Sequence, residues 1–205
     1  LDIKHFPDVD YYVLQKSENK HPTQIVNFFN NKEYISNEKI NKSSLFLPNL
    51  ITTHSMSIFN KLMNISGNKF NIQRERNVAV NKITHKTSTD LYKYPHYHYT
   101  NRGVKTMVYV TNEQKIKEFG DDKIIMSFKS SPYKLNAWFD NGKTGTTDFG
   151  MFFLTNKHKY VNFFNSKLIE FILKITQYGS PPFTQNEYKI LNLITIPEDL
   201  KNNPT

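Results

Sequence analysis

Two short polar stretches hold the side chains best suited to grip a charged polymer. The first follows the run Lys123-Ile124-Ile125-Met126-Ser127-Phe128 and offers Lys129, Ser130, Ser131, Tyr133 and Lys134. The second, Asp140-Asn141-Gly142-Lys143-Thr144-Gly145-Thr146-Thr147, offers Lys143, Thr144, Thr146 and Thr147 around Gly145. Ammonium groups neutralise phosphates, and hydroxyls and phenol rings reach base edges. An ordinary solvated hairpin would show the same residue types. Arg74 and Arg76 alternate in a polar stretch, where guanidinium forks suit phosphate oxygens. Arg102 follows the aromatic run Tyr94-Pro95-His96-Tyr97-His98-Tyr99, which reads as a strand leading into a basic loop.

Other chemistries are less well supplied. His96 and His98 share one face of an ideal strand. A metal centre needs a third ligand, and none stands near them, so no metal site is expected. Pro7-Asp8 with Glu18-Asn19-Lys20 imitates the carboxylate-plus-lysine spacing of a metal-dependent nuclease. That chemistry needs positioned metal ligands on a core strand. Ser17 to Lys20 reads instead as a polar turn, and a stand-alone nuclease stays as the alternative. No glycine-rich loop opens a helix after a strand, and no Gly-x-Ser-x-Gly elbow occurs. No catalytic residue and no cofactor are therefore expected within this chain.

Composition sets the frame. Lys plus Arg outnumber Asp plus Glu by 27 to 18 over 205 residues, a formal net charge of +9. Such a surface attracts phosphate chains in a salt-dependent way. The abundance of Asn, Lys, Ile and Tyr gives the same charge by compositional bias alone, so a structural or interaction protein is a third reading. Hydrophobic residues make up 38% and aromatic residues 14%, enough for a packed core. There is no cysteine, which excludes disulfides and thiolate metal sites. No apolar run approaches the ~20 residues that span a bilayer, so no membrane partner is expected. The opening Leu1-Asp2-Ile3-Lys4-His5 is neither a signal peptide nor a native start. It is expected of a piece cut from a longer chain or one that lost its leading residue.

These groups need elements to hold them. Asp10 to Lys16 and Thr23 to Phe29 have strand composition, with a turn over Ser17 to His21. Asn30 to Ser44 is polar and broken, and reads as a connector. Thr53 to Met63 reads as a helix with Ile58, Phe59, Leu62 and Met63 on one face, Ser55 or Ser57 as cap and Gly67 at its end. Strands are expected at Phe70-Asn71-Ile72, Lys105 to Val110 and Lys123 to Phe128. Leu135 to Phe139 should turn through Asn141-Gly142, a type I′ signal, and return as Thr146 to Leu154. Asn165 to Tyr178 carries a helical stripe of Leu168, Ile169, Ile172 and Ile175, stopped by Gly179 and Pro181-Pro182. The apolar tail Ile190 to Pro197 should dock back. The expected class is α+β: a largely antiparallel sheet with hairpin loops, flanked by helices near 54–65 and 165–178.

Several of these features, in this order, resemble the target-recognition domains of adenine-specific DNA methyltransferases of the TaqI-like group and of restriction enzymes fused to them. The pieces are Phe6-Pro7-Asp8-Val9 with Tyr11-Tyr12-Val13-Leu14; Leu47-Pro48 with Ser57-Ile58-Phe59-Asn60-Lys61-Leu62; Tyr94-Pro95; Lys123 to Ser127 through Asp140 to Thr147; and Phe164-Asn165-Ser166-Lys167-Leu168-Ile169-Glu170, then Leu193 to Pro197. The resemblance implies that residues 1–44 close a methyltransferase catalytic domain and that 45–205 form the recognition domain. It implies double-stranded DNA as partner, read by the loops at Lys129 to Lys134 and Lys143 to Thr147. It further implies a catalytic segment or subunit as second partner, S-adenosylmethionine in the intact enzyme, and a cytoplasmic setting. The Asn-Pro-Pro-Tyr-type signature that holds a flipped adenine is absent from this sequence, as is the cofactor region.

Overall fold

A computed structural model describes residues 22–29, 32–39, 48–63, 68–74, 84–101, 103–127, 133–176 and 187–197. The strand candidate at Asp10 to Lys16, the turn at Ser17 to His21, and the helix stops at Gly67, Gly179 and Pro181-Pro182 lie outside these residues, as do Asp8, Glu18 and Lys20. The fold is α+β with antiparallel sheets and helices.

The middle layer is a three-stranded antiparallel sheet. Its central strand β5 (Asp122–Ser127) lies between β6 (Trp138–Asn141) and β8 (Gly150–Leu154). Because side chains alternate across a strand, Ile124 and Met126 face one way and Ile125 the other. Both faces are covered, so β5 has an unbroken buried run after Asp122, with the apolar Ile124-Ile125-Met126 at its centre and Lys123 and Ser127 buried at its ends.

On one side sits a second sheet of β3 (Tyr94–Asn101), β4 (Val104–Val110) and the two-residue β7 (Gly145–Thr146). Tyr97, Val110, Ile125 and Phe152 pack between the sheets. On the other side lie α1 (Thr53–Met63), α2 (Tyr160–Phe164), α3 (Lys167–Thr176) and α4 (Glu187–Leu193). Phe70 joins this larger core edge-to-face with Phe153 and Tyr160, at centroid distances of 5.4 and 5.7 Å. In α3 the buried stripe is Ile169, Ile172, Leu173 and Ile175, while Leu168 is 37% exposed. The tail does dock: Ile190, Leu191 and Ile194 are buried, and Thr195 bridges to Lys69.

Several local expectations are corrected. The cap of α1 is Thr52, whose Oγ1 accepts from the Ser55 N–H at 3.1 Å while Ser55 Oγ accepts from the Thr52 N–H at 2.8 Å. That reciprocal pair is a capping box with Ser in the third position. The polar stretch after Asn30 contains β2 (Lys32–Glu38), paired with β1 (Thr23–Phe29) in a separate two-stranded sheet. Phe70 and Ile72 are buried with Asn71 exposed, as alternation suggests, but the segment makes only isolated bridges.

The hairpin expected around Asn141-Gly142 does not form. β6 and β8 both pair with β5, on opposite edges, and never with each other. A type I′ turn needs positive φ at both central residues; Gly142 has φ 80° and Asn141 is not positive. The chain instead crosses to the other sheet, where β7 runs parallel to β3. Two contacts enforce the crossing. Asp140 Oδ2 accepts from the Thr144 N–H at 3.1 Å and pairs with the wholly buried Lys123 at 3.4 Å. Gly145 lies flat on the His96 ring, where any β-carbon would collide.

Candidate nucleic-acid interface

Asn165 stands at the break between α2 and α3, and its carboxamide reaches back to the loop leading into β6. Its Oδ1 accepts from the Ala137 N–H at 2.8 Å and its Nδ2 donates to the Ala137 carbonyl at 2.9 Å. The Ser127 N–H donates to the Leu135 carbonyl at 2.7 Å, fixing the same loop to the end of β5. Tyr133 and Asn136 take left-handed backbone angles, φ 63° and 46°. Asn tolerates that region; Tyr does so only under external constraint, a pattern common at binding sites.

This loop, the β3–β4 turn and the α2–α3 junction enclose a groove of about 480 Å³. Lys105 comes from β4, Lys134 from the loop and Lys167 from the start of α3. Among the described residues Glu170 is the single acidic side chain in its lining. Its carboxylate accepts from Lys167 Nζ at 2.8 Å. That hydrogen bond above all, aided by the charges of Lys167, Lys134 and Lys174, holds Glu170 below the usual carboxylate range. Lys105 lies over the Trp138 ring, its Nζ 3.8 Å from the centroid. Burial pulls the Lys105 ammonium below its ordinary pKa, and the Asp140 charge partly opposes this.

Among the sequence-chosen site residues, Tyr133 and Lys134 line the groove. Arg102 lies outside the described residues. Lys129, Ser130 and Arg76 also lie outside them. The other loop is not adjacent. Asp122 pairs with Asn141, so Lys143 and Thr144 leave the opposite end of the β5–β6 ladder from Lys134. At ~3.4 Å per residue along β5, the two tips stand roughly 17 Å apart. Lys143 is exposed and Thr144 half-buried.

Thr146 and Thr147 are wholly buried and present no side chain to a groove of DNA. The Thr147 N–H donates to the Tyr97 carbonyl at 3.0 Å, and its Oγ1 meets His98 Nδ1 at 3.1 Å. The Asn141-Gly142 signal predicts them at a hairpin tip, and the sheet crossing draws them inside. Arg74 Nε donates to the Asp148 carbonyl at 2.8 Å, a bond within the fold.

The two strand histidines are separated by a register shift between Tyr97 and Tyr99. His96 is buried: its Nε2 accepts from the Ile116 N–H at 3.2 Å, which leaves the proton on Nδ1 to donate to the Tyr94 carbonyl at 3.1 Å. Burial pushes its pKa down to about 4. His98 contacts Thr147 and Phe149 instead. No group of three metal-capable side chains occurs among the described residues.

No known family model or curated protein matches the chain. No described helix is long and apolar enough to cross a membrane.

Sequence reasoning missed Lys105, Trp138 and Lys167 as groove residues. Lys105 lies in a strand that its alternation alone marks in the sequence. Lys167 stood within the Phe164-Asn165-Ser166-Lys167 run, visible as a motif but without a stated role.

Proposed function

We propose that the chain binds double-stranded DNA and catalyses nothing by itself, with the lysine groove as its phosphate-binding face. The observation that carries this reading is the convergence of Lys105, Lys134 and Lys167 from three separate elements upon a groove with one counter-charge among the described residues. Cations that converge from distant sequence positions are a feature that compositional bias does not explain, and phosphate is the ligand they suit. The resemblance to target-recognition domains of adenine-specific methyltransferases supplies the target class. In that reading the intact enzyme brings S-adenosylmethionine on its catalytic part.

The test is duplex affinity as a function of salt. Each lysine that neutralises a phosphate contributes about 0.9 to the slope of log K against log salt. The triple variant Lys105→Ala/Lys134→Ala/Lys167→Ala should lower the slope by about 2–3. An unchanged slope in a folded triple variant sinks the assignment.

The second partner, a methyltransferase catalytic segment or subunit, has an observation of its own in favour. The β1–β2 hairpin is tied down through one face: Asn27 Nδ2 and Ser36 Oγ donate to the Ile51 carbonyl at 2.6 and 3.0 Å. Val26 and Ile35, opposed across the strands, are 48% and 60% exposed, and Phe28 is 76% exposed. An exposed apolar trio on a sheet face suits a protein surface.

A further inference from the structure

We propose that the lysine groove receives one unstacked nucleotide, its base on Trp138 and its phosphate on Lys134 and Lys167. This rests on the groove being the DNA-binding face and names what enters it.

Trp138 is held like a platform. Tyr97 meets it edge-on, with centroids 4.6 Å apart and planes at 72°. Lys105 covers its ring, 3.8 Å from the centroid. An ammonium over a ring near the surface is a weak cover, weaker than a nucleobase stacked on the same ring. Lys105 is exposed as a residue, but the partial burial of its ammonium over the ring lowers its pKa. A phosphate oxygen would satisfy it better than the indole does. Base and lysine can therefore exchange places: the base takes the ring, and Lys105 takes the backbone phosphate beside it.

Size argues for a single nucleotide. A groove of about 480 Å³ falls within the range of small-ligand sites, about 300–1,000 Å³. It is too small for a duplex. The left-handed backbone at Tyr133 and Asn136 shapes its wall, and strain of that kind gathers where a ligand is clamped.

The nucleotide has two sources, a bound strand or free solution. Trp138 is the chain's one tryptophan, so its emission reports on the groove alone. The chain is titrated with a fully paired duplex, the same duplex carrying one unpaired adenine, and deoxyadenosine monophosphate. The expected result is binding of the bulged duplex at least about fivefold tighter than the paired one, with quenching of Trp138. The mononucleotide should quench only weakly. Trp138→Leu should bring the bulged-to-paired ratio towards one; the emission of the unaltered protein stands as evidence even if that variant folds poorly. Equal affinity for paired and bulged duplexes without quenching overturns this inference and leaves duplex binding intact. Quenching by the mononucleotide as strong as by the bulged duplex overturns the bound strand as source. Failure to bind any duplex overturns the DNA reading itself.

Discussion

The Asn165 carboxamide forms two hydrogen bonds with the backbone of a single residue, Ala137, at 2.8 and 2.9 Å. It thereby joins the α2–α3 break to the loop that carries Lys134, and so sets one wall of the lysine groove. Replacing Asn165 with Ala leaves the N–H and carbonyl of Ala137 without these partners. Each unmet buried polar group costs about 1–3 kcal/mol, and part of this returns through water at a half-open site. Asn165→Ala should therefore lose roughly 2 kcal/mol in urea unfolding. Asn165→Asp keeps the acceptor and loses the donor, and should fall between.

Lys134 and Lys143 carry the same charge at opposite ends of one ladder. If the groove is the phosphate face, Lys134→Ala should lower the salt slope of duplex binding by about 0.9. Lys143→Ala should change it by less than half as much. Equal effects would show that DNA spans both ends, and the groove would lose its special standing.

His96 makes stability depend on acid. Its pKa in the folded protein is about 4, against an ordinary 6.5, chiefly because burial penalises the charged ring. Above the ordinary value both folded and unfolded chains hold it neutral, and its contribution is complete. As pH falls from 6.5 towards 4, the unfolded chain takes up a proton that the folded chain refuses. Stability should drop across that window by about 3 kcal/mol from this group, and this loss should level off below it. Urea unfolding of the parent and of His96→Gln at several pH values checks this: the variant should lose that part of the dependence.

Asp140 pairs with buried Lys123 at 3.4 Å and anchors the Thr144 N–H. Lys123 Nζ also donates to the carbonyls of Glu118 and Asp121, at 2.9 and 2.7 Å. Asp140→Ala leaves a buried ammonium with carbonyls alone, and should cost about 3–5 kcal/mol. The double variant Lys123→Met/Asp140→Ala should be more stable than Asp140→Ala, because the stranded charge is gone. Thermal melts of both decide it.

Much of the architecture was legible because hydrophobic period and burial agree. β5 shows the consecutive apolar run Ile124-Ile125-Met126 since both its faces are covered, and α3 shows its stripe at helical spacing. β2 was hidden because only Tyr34 and Ile35 interrupt its polar residues, and its buried position is Ser36. The hairpin error came from a strong local signal at Asn141-Gly142 that tertiary contacts override: the Lys123–Asp140 pair and the fit of Gly145 on His96. That error placed Thr146 and Thr147 at the surface, whereas both are buried. The groove was half legible. Tyr133 and Lys134 could be found as loop residues, but convergence with Lys105 and Lys167 depends on pairings across distant positions.

From Asp140 to Gly150 the backbone leaves the middle sheet, lies beside β3, and comes back. A thread sewn through two cloths keeps either from sliding over its neighbour. The β3 and β5 layers are thus unable to shear or peel apart one at a time, and their amides should lose protection from exchange as a single cooperative block.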